Sequence, residues 1–214
     1  QDGVLKSRRL LIIACGALAT ELKAIVGANR VQGIDIEHLP SSLHNSPDLI
    51  PGAVERRLVA AKRNYAKVLI GYADCGTGGR LDEVCRRFDV ERLPGAHCYE
   101  LYAGKSVFAA LAEEEPGTFY LTDYLAKHFQ RLVVEGLKLR EHPMLRTLIF
   151  NNYTRVLYLP QTYNELIRKR AVLAAQFLQL PLTVRPATYG ELSVHINDFS
   201  NSYLEPSARR GDSD

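Results

Sequence analysis

No stretch of this sequence stays apolar for the ~20 residues that a membrane-spanning helix needs. The first apolar run, LLIIACGALA at 10–19, is too short and passes directly into polar, helix-like sequence. Nothing in the chain reads as membrane-bound or secreted, so a cytoplasmic protein is expected. Four cysteines in 214 residues do not make the dense, loop-rich pattern of a disulfide scaffold, so reduced thiols are expected. There is no CxxC pair, internal repeat or low-complexity tract. Charge of one sign is not concentrated either: 27 Lys and Arg face 24 Asp and Glu. Pairs such as Arg56-Arg57 and Arg86-Arg87 are scattered, as on solvated helix faces, and argue against a nucleic-acid surface.

A chain of 214 residues that is 46% hydrophobic can bury one sizeable core. Its apolar pattern alternates between short continuous runs and helical periodicity. RLLIIA, AKVLIGYA, TFYLTD and RVLYLP read as buried strands, whereas ALATELKAIV, AVERRLVAAKRN and YNELIRKRAVLAAQFLQ read as amphipathic helices. This alternation predicts an α/β fold, doubly wound, with a mainly parallel sheet and helices on both faces. One domain is expected over residues 1–205, followed by a polar tail at 206–214. VERLPGAHCYELYAG is expected to be extended and then a loop.

In open α/β sheets, ligands bind beyond the carboxyl ends of the strands, where loops diverge and helix N-termini point inward. Unusual residues fall at those positions. Cys15 follows the first strand, His38 the second, Cys75 the third, and His97-Cys98 the extended VERLPGA. One buried cysteine is ordinarily a small hydrophobe. Cys85, inside a short helix, fits that description and is assigned no chemistry. Three cysteines at three strand ends are less easily explained by packing alone.

The third strand runs into DCGTGG. Backbone N–H groups in a glycine-rich turn before a helix offer positive potential to a thiolate or another anion. Gly76, Thr77, Gly78 and Gly79 are therefore candidate cofactor contacts. A phosphate cradle is the competing reading, although the segment lacks a Lys-Ser/Thr ending and GxGxxG spacing. Asp74 can cap the turn, orient a histidine or accept a proton.

Cys15, Cys75 and Cys98 with one imidazole suit zinc or iron, an iron–sulfur cluster included, since soft sulfur donors favour these metals. The imidazole is His38, His44 or His97; composition does not choose among them. His44, in the loop SSLHNSP, suits substrate contact or general acid/base work, and Glu100 suits proton transfer or support of a ligand histidine. Arg80 and Lys105, at helix starts, are placed to balance an anionic substrate, and Gln161, Tyr163 and Arg185 are candidate pocket liners.

The combination IACGALATEL, HLPSSLHNSP, GYADCGTGG and GAHCYE resembles the family known as DUF1638, across roughly residues 9–200. The family has no established activity. The resemblance implies an association with corrinoid-dependent methyltransferase systems, including those for methylated amines and betaines. A corrinoid protein or methyltransferase is then an expected partner, besides a small-molecule substrate. The chain has no Asp-x-His-x-x-Gly stretch with which to hold the corrinoid itself. The leading expectation is a metal-dependent enzyme of that metabolism. The alternatives are a metal or cofactor carrier for a methyltransferase, a thiol-redox protein using Cys75 and Cys98, and a small-molecule binding domain with free cysteines.

Overall fold

The computed structural model describes residues 9–28, 33–61 and 64–204; the expected tail at 206–214 lies outside them. β1 (Leu10–Cys15) leads through a short 3₁₀ turn to α1 (Ala19–Ala28), then β2 (Ile34–Leu39). Two further 3₁₀ turns, Ser41–Asn45 and Pro47–Leu49, precede α2 (Ile50–Ala61), β3 (Lys67–Gly71), α3 (Arg80–Phe88) and the two-residue β4 (Glu91–Arg92). α4 (Glu100–Ala103) and α5 (Lys105–Glu114) connect to β5 (Thr118–Thr122) and α6 (Asp123–Phe129), which continues as a π-helix over Gln130–Glu135. α7 (Pro143–Phe150), β6 (Arg155–Leu159), α8 (Glu165–Leu178), β7 (Leu182–Val184) and α9 (Gly190–Leu204) complete the order.

β1 is the axis of the first sheet, whose order is β2-β1-β3-β4 with every pairing parallel. All six residues of β1 are buried, which only a central strand covered on both faces requires. Successive side chains point to opposite faces. Leu11, Ile13 and Cys15 pack with Val54 and Leu58 of α2 and Val84 of α3. Leu10, Ile12 and Ala14 pack with Leu22 and Ile25 of α1 and with Ile196 and Phe199 of α9. Each large aliphatic side chain so buried contributes roughly 1.5–3 kcal/mol. Gly71 lies opposite Ala14, where a Cβ would come 2.6 Å from that of Ala14, so glycine sets how closely β3 approaches β1.

The fold is α/β with parallel strands, and those strands form two sheets. The second is β5-β6-β7, again all parallel. Leu121, Val156 and Tyr158 face Phe129, Ala171 and Ala174 from the helical side, and Leu157 and Leu159 face Leu111 of α5 on the other. The first sheet ends because β4 pairs over only two residues before the chain leaves into a loop and α4. There, sequence that reads as extended becomes loop and helix instead.

α9 is an element that the sequence reading leaves without assignment. Its apolar residues Leu192, Ile196 and Phe199 recur at intervals of four and three, but polar residues between them mute the signal. This last helix returns to α1 and α4 of the first half. The chain therefore visits sheet one, sheet two and sheet one again.

Glu21 on α1 is buried and its Oε2 has no partner. Burial raises its pKa, with Asp123 acting in the same direction and a backbone hydrogen bond opposing. A carboxyl raised in the folded state contributes its full stability below the unfolded pKa and loses it as pH rises through the folded one. Glu21→Gln should therefore be more stable than wild type at pH 7–8, by about 1 kcal/mol. Denaturant titrations should show that gain shrinking to nothing near pH 4.

Candidate metal centre

β3 is followed by Tyr72-Ala73, both fully buried, and the chain then enters the turn that carries Cys75. Cys75 has φ +50°, an uncommon conformation for a residue with a Cβ, and Gly76, Gly78 and Gly79 follow with φ of 84°, 62° and 83°. Four positive dihedrals within five residues explain why glycine is concentrated here. Gly76 has a second reason: a Cβ there would stand 3.3 Å from Pro47, so its absence lets the turn abut the segment carrying His44.

Asp74 organises this turn. Its carboxylate accepts from Thr77 Oγ1 at 2.8 Å, Gly79 N at 2.9 Å and Gly78 N at 3.2 Å. Burial alone would raise its pKa, but the bonds from Gly79, Thr77 and Gly78, with Arg92 beyond, hold it below the ordinary carboxylate range. Such a group is a poor proton acceptor at neutral pH and a good turn anchor. Two of the glycine-rich N–H groups, on Gly78 and Gly79, are thereby taken by the chain itself.

The Cys75 turn is tied to the Cys98 loop by Asp74 N donating to Gly95 O at 3.1 Å and Cys75 N to Ala96 O at 2.7 Å. Glu100 closes the Cys98 loop, accepting from the backbone N–H of Ala96 and His97, both at 2.9 Å. Cys75 Sγ and Cys98 Sγ consequently lie 3.3 Å apart.

His44 approaches from the 3₁₀ turn Ser41–Asn45, which the second half of the molecule grips on both sides. Ser41 Oγ and Tyr124 Oη are 2.8 Å apart, and Asn45 Nδ2 donates to Leu132 O at 3.0 Å. Leu132 belongs to the π-helix, a wide turn that often marks a functional position. The potential metal-ligand atoms of His44, Cys75 and Cys98 all lie within 4.8 Å of one another.

Cys15 stands beside this group. Its sulfur is 3.5 Å from His44 Nδ1 and accepts from Ala17 N at 3.3 Å. With Nδ1 facing Cys15, Nε2 is the nitrogen left for a metal. Tyr72, invisible as a site residue in sequence, stacks on the His44 ring at 6.3 Å. Burial, then the sulfurs of Cys15, Cys98 and Cys75, push the pKa of its phenol up.

The electrostatics of the group are coupled. The hydrogen bond from Cys75 is the largest influence lowering the Cys98 pKa; burial opposes it and His44 adds to it. The same bond, with burial, raises Cys75. Burial pulls His44 down, but hydrogen bonds to Cys15 and Cys98 outweigh that and hold it at about 10. Of the two thiols, Cys98 is thus the one whose ionised form its surroundings favour.

The remaining candidates are not part of the three-residue group, although His97 borders the same cavity. His38 pairs in register with Ala14, which puts it on the opposite face of the sheet from Cys15. Both its ring nitrogens are buried without partners, and burial, then Lys23, lowers its pKa. His97 stacks on Tyr99 at 4.9 Å and is outside the three-residue group. Arg80 Nε donates to Thr77 O, and Tyr163 is exposed. Cys85 packs into the core below α3, where burial pushes its thiol up to about 11.

With this geometry in place, comparison with known proteins becomes informative. The family described as "Protein of unknown function (DUF1638)" matches residues 38–195. The chain belongs to that family. No curated relative and no solved structure matches the chain. The matched span contains His44, Cys75 and Cys98 but leaves out Cys15. No helix among the described residues is long and apolar enough to cross a membrane.

Because Asp74 is depressed in the folded state, its stabilisation is present above the unfolded pKa and is lost as pH falls through the folded value. Asp74→Asn should cost about 1–2 kcal/mol at pH 7, as expected for lost charge-assisted hydrogen bonds. Melting curves taken down to pH 3 should show wild type and variant converging.

Proposed function

We propose that this protein is a metal-dependent enzyme in which Cys75, Cys98 and His44 hold zinc or iron, with a fourth position left for substrate. The observation that carries the reading is the convergence of two sulfurs and one imidazole, from three separate segments, within 4.8 Å. Donor atoms around a tetrahedral ion with 2.3 Å bonds are about 3.8 Å apart. The 3.3 Å between the two sulfurs is within a small side-chain adjustment of that figure. Two thiolates and an imidazole suit zinc or iron better than magnesium or calcium.

Three protein ligands with an open position describe catalytic rather than structural zinc sites, including Cys₂His ones. Cys15 then has a different role from the other two thiols: it lies 3.5 Å from Nδ1 of His44 and orients the ring, leaving Nε2 as the ligand atom. When bound, the metal would supply Lewis acidity and lower the pKa of a coordinated group. The protein supplies its orientation, a His44 ring held by Ser41 and Asn45, and an apolar wall beside the donors. The resemblance to DUF1638 adds corrinoid-dependent methyl transfer as the metabolic setting, with a corrinoid protein or methyltransferase as partner. An open ligand position next to a cavity favours catalysis over metal carriage.

A second reading draws on the same sulfur pair. Thiols 3.3 Å apart can close to a disulfide near 2.05 Å when a mild disulfide oxidant accepts the electron pair and the protons, making this a thiol-redox protein without metal.

Elemental analysis of protein purified without oxygen separates the two. Stoichiometric zinc or iron is expected in wild type and its loss in Cys75→Ser, Cys98→Ser and His44→Ala. Cys15→Ser should retain metal with affinity weakened about 10–100-fold, as for an orienting partner. Metal-free wild type that forms a Cys75–Cys98 disulfide would establish the redox reading instead.

A further inference from the structure

A cavity of about 260 Å³ lies against the donor group, with His44, Cys75 and Cys98 in one wall. Drug-sized pockets begin near about 300 Å³, so the space suits a small molecule. The other walls come from both halves of the chain, and six aromatic rings dominate them: Tyr99, Tyr102, Phe119, Tyr120, Tyr124 and Phe150. Tyr99 sits between His97 and Tyr120, with ring centroids 4.9 Å away on each side.

No Asp, Glu, Lys or Arg lines the cavity. Away from the donor group, a carboxylate, phosphate or ammonium on the body of a ligand would be desolvated among the rings with no charged side chain to meet it. The polar side chains are mostly satisfied by one another: Ser41 meets Tyr124, Asn45 meets Leu132 O, and Thr122 Oγ1 accepts from Leu125 N. The Tyr120 hydroxyl is buried with no partner and offers an uncharged hydrogen-bonding group to a ligand. Arg80 and Lys105, the cations placed by sequence to meet an anionic substrate, are outside the lining.

We infer that the cavity is the substrate chamber of the metal centre and takes a small uncharged thiol, its apolar body among the aromatic rings and its sulfur at the open metal position. This rests on the metal reading above and extends it to a substrate class. A thiolate-ligated ion of the zinc or iron kind prefers a soft donor, and the body that accompanies it must be apolar and neutral. On binding, the thiol proton is released to solvent.

The test uses full-length, zinc-loaded protein and three probes of similar size: phenylmethanethiol, benzoate and benzylamine. Calorimetry should show the thiol binding at least tenfold more tightly than either charged probe. Leu125→Trp, which fills part of the chamber without touching a metal ligand, should reduce thiol affinity at least tenfold while metal content stays unchanged. Equal or tighter binding of a charged probe, or unchanged thiol affinity in Leu125→Trp, overturns the inference and leaves the metal reading standing. Wild type that retains neither zinc nor iron overturns both, and metal analysis of the same samples tells the two failures apart.

Discussion

Two backbone hydrogen bonds, Asp74 N to Gly95 O and Cys75 N to Ala96 O, tie together the loops that leave β3 and β4. Cys75 and Cys98 meet because of that tie, and the rest of the site is arranged around their meeting. The glycines after Cys75 take dihedrals that other residues rarely adopt, Asp74 holds the turn they make, and Glu100 holds the opposing loop. Carboxylates that read as proton carriers therefore serve as loop anchors. Both stand one or two residues from a sulfur, so their fixed hydrogen bonds limit the sulfur's motion.

The second half of the molecule provides the remaining constraint. His44 lies on a short turn with little core of its own, yet Ser41 and Asn45 on either side of it are bonded to Tyr124 and Leu132. Those partners belong to α6 and the π-helix that continues it. The apolar chamber closes between the same surfaces, so the geometry of the donors and the shape of the chamber depend on one interface. Return of α9 to the first sheet packs Leu192, Ile196 and Phe199 under α1 and joins the end of the chain to its beginning.

Much of this is legible in the sequence, for identifiable reasons. Continuous apolar runs ending in Cys15 and in Tyr72-Ala73 mark buried parallel strands, and strand ends of one sheet share one rim, which brings Cys15, Cys75 and Cys98 near one another. The histidine is not legible, because His38, His44 and His97 all follow strands. What excludes His38 from the group is pleat parity, which the register with Ala14 fixes and the sequence does not. Nor is the division into two sheets visible: the residues after β4 have strand-like content, and only the brevity of the β3–β4 pairing shows that the first sheet stops. The aromatic chamber is equally hidden, since Tyr99, Phe119 and Tyr124 come from separate elements and meet only when the halves pack.

The central claim is that one ion is bound by two thiolates and an imidazole from these three segments. X-ray absorption at the metal edge of protein purified without oxygen addresses it most directly. The account predicts a first shell with two sulfur atoms near about 2.3 Å and one imidazole nitrogen at about 2.0–2.1 Å, with the remaining position taken by a light atom. A shell made only of oxygen and nitrogen, with no sulfur scattering, would contradict it.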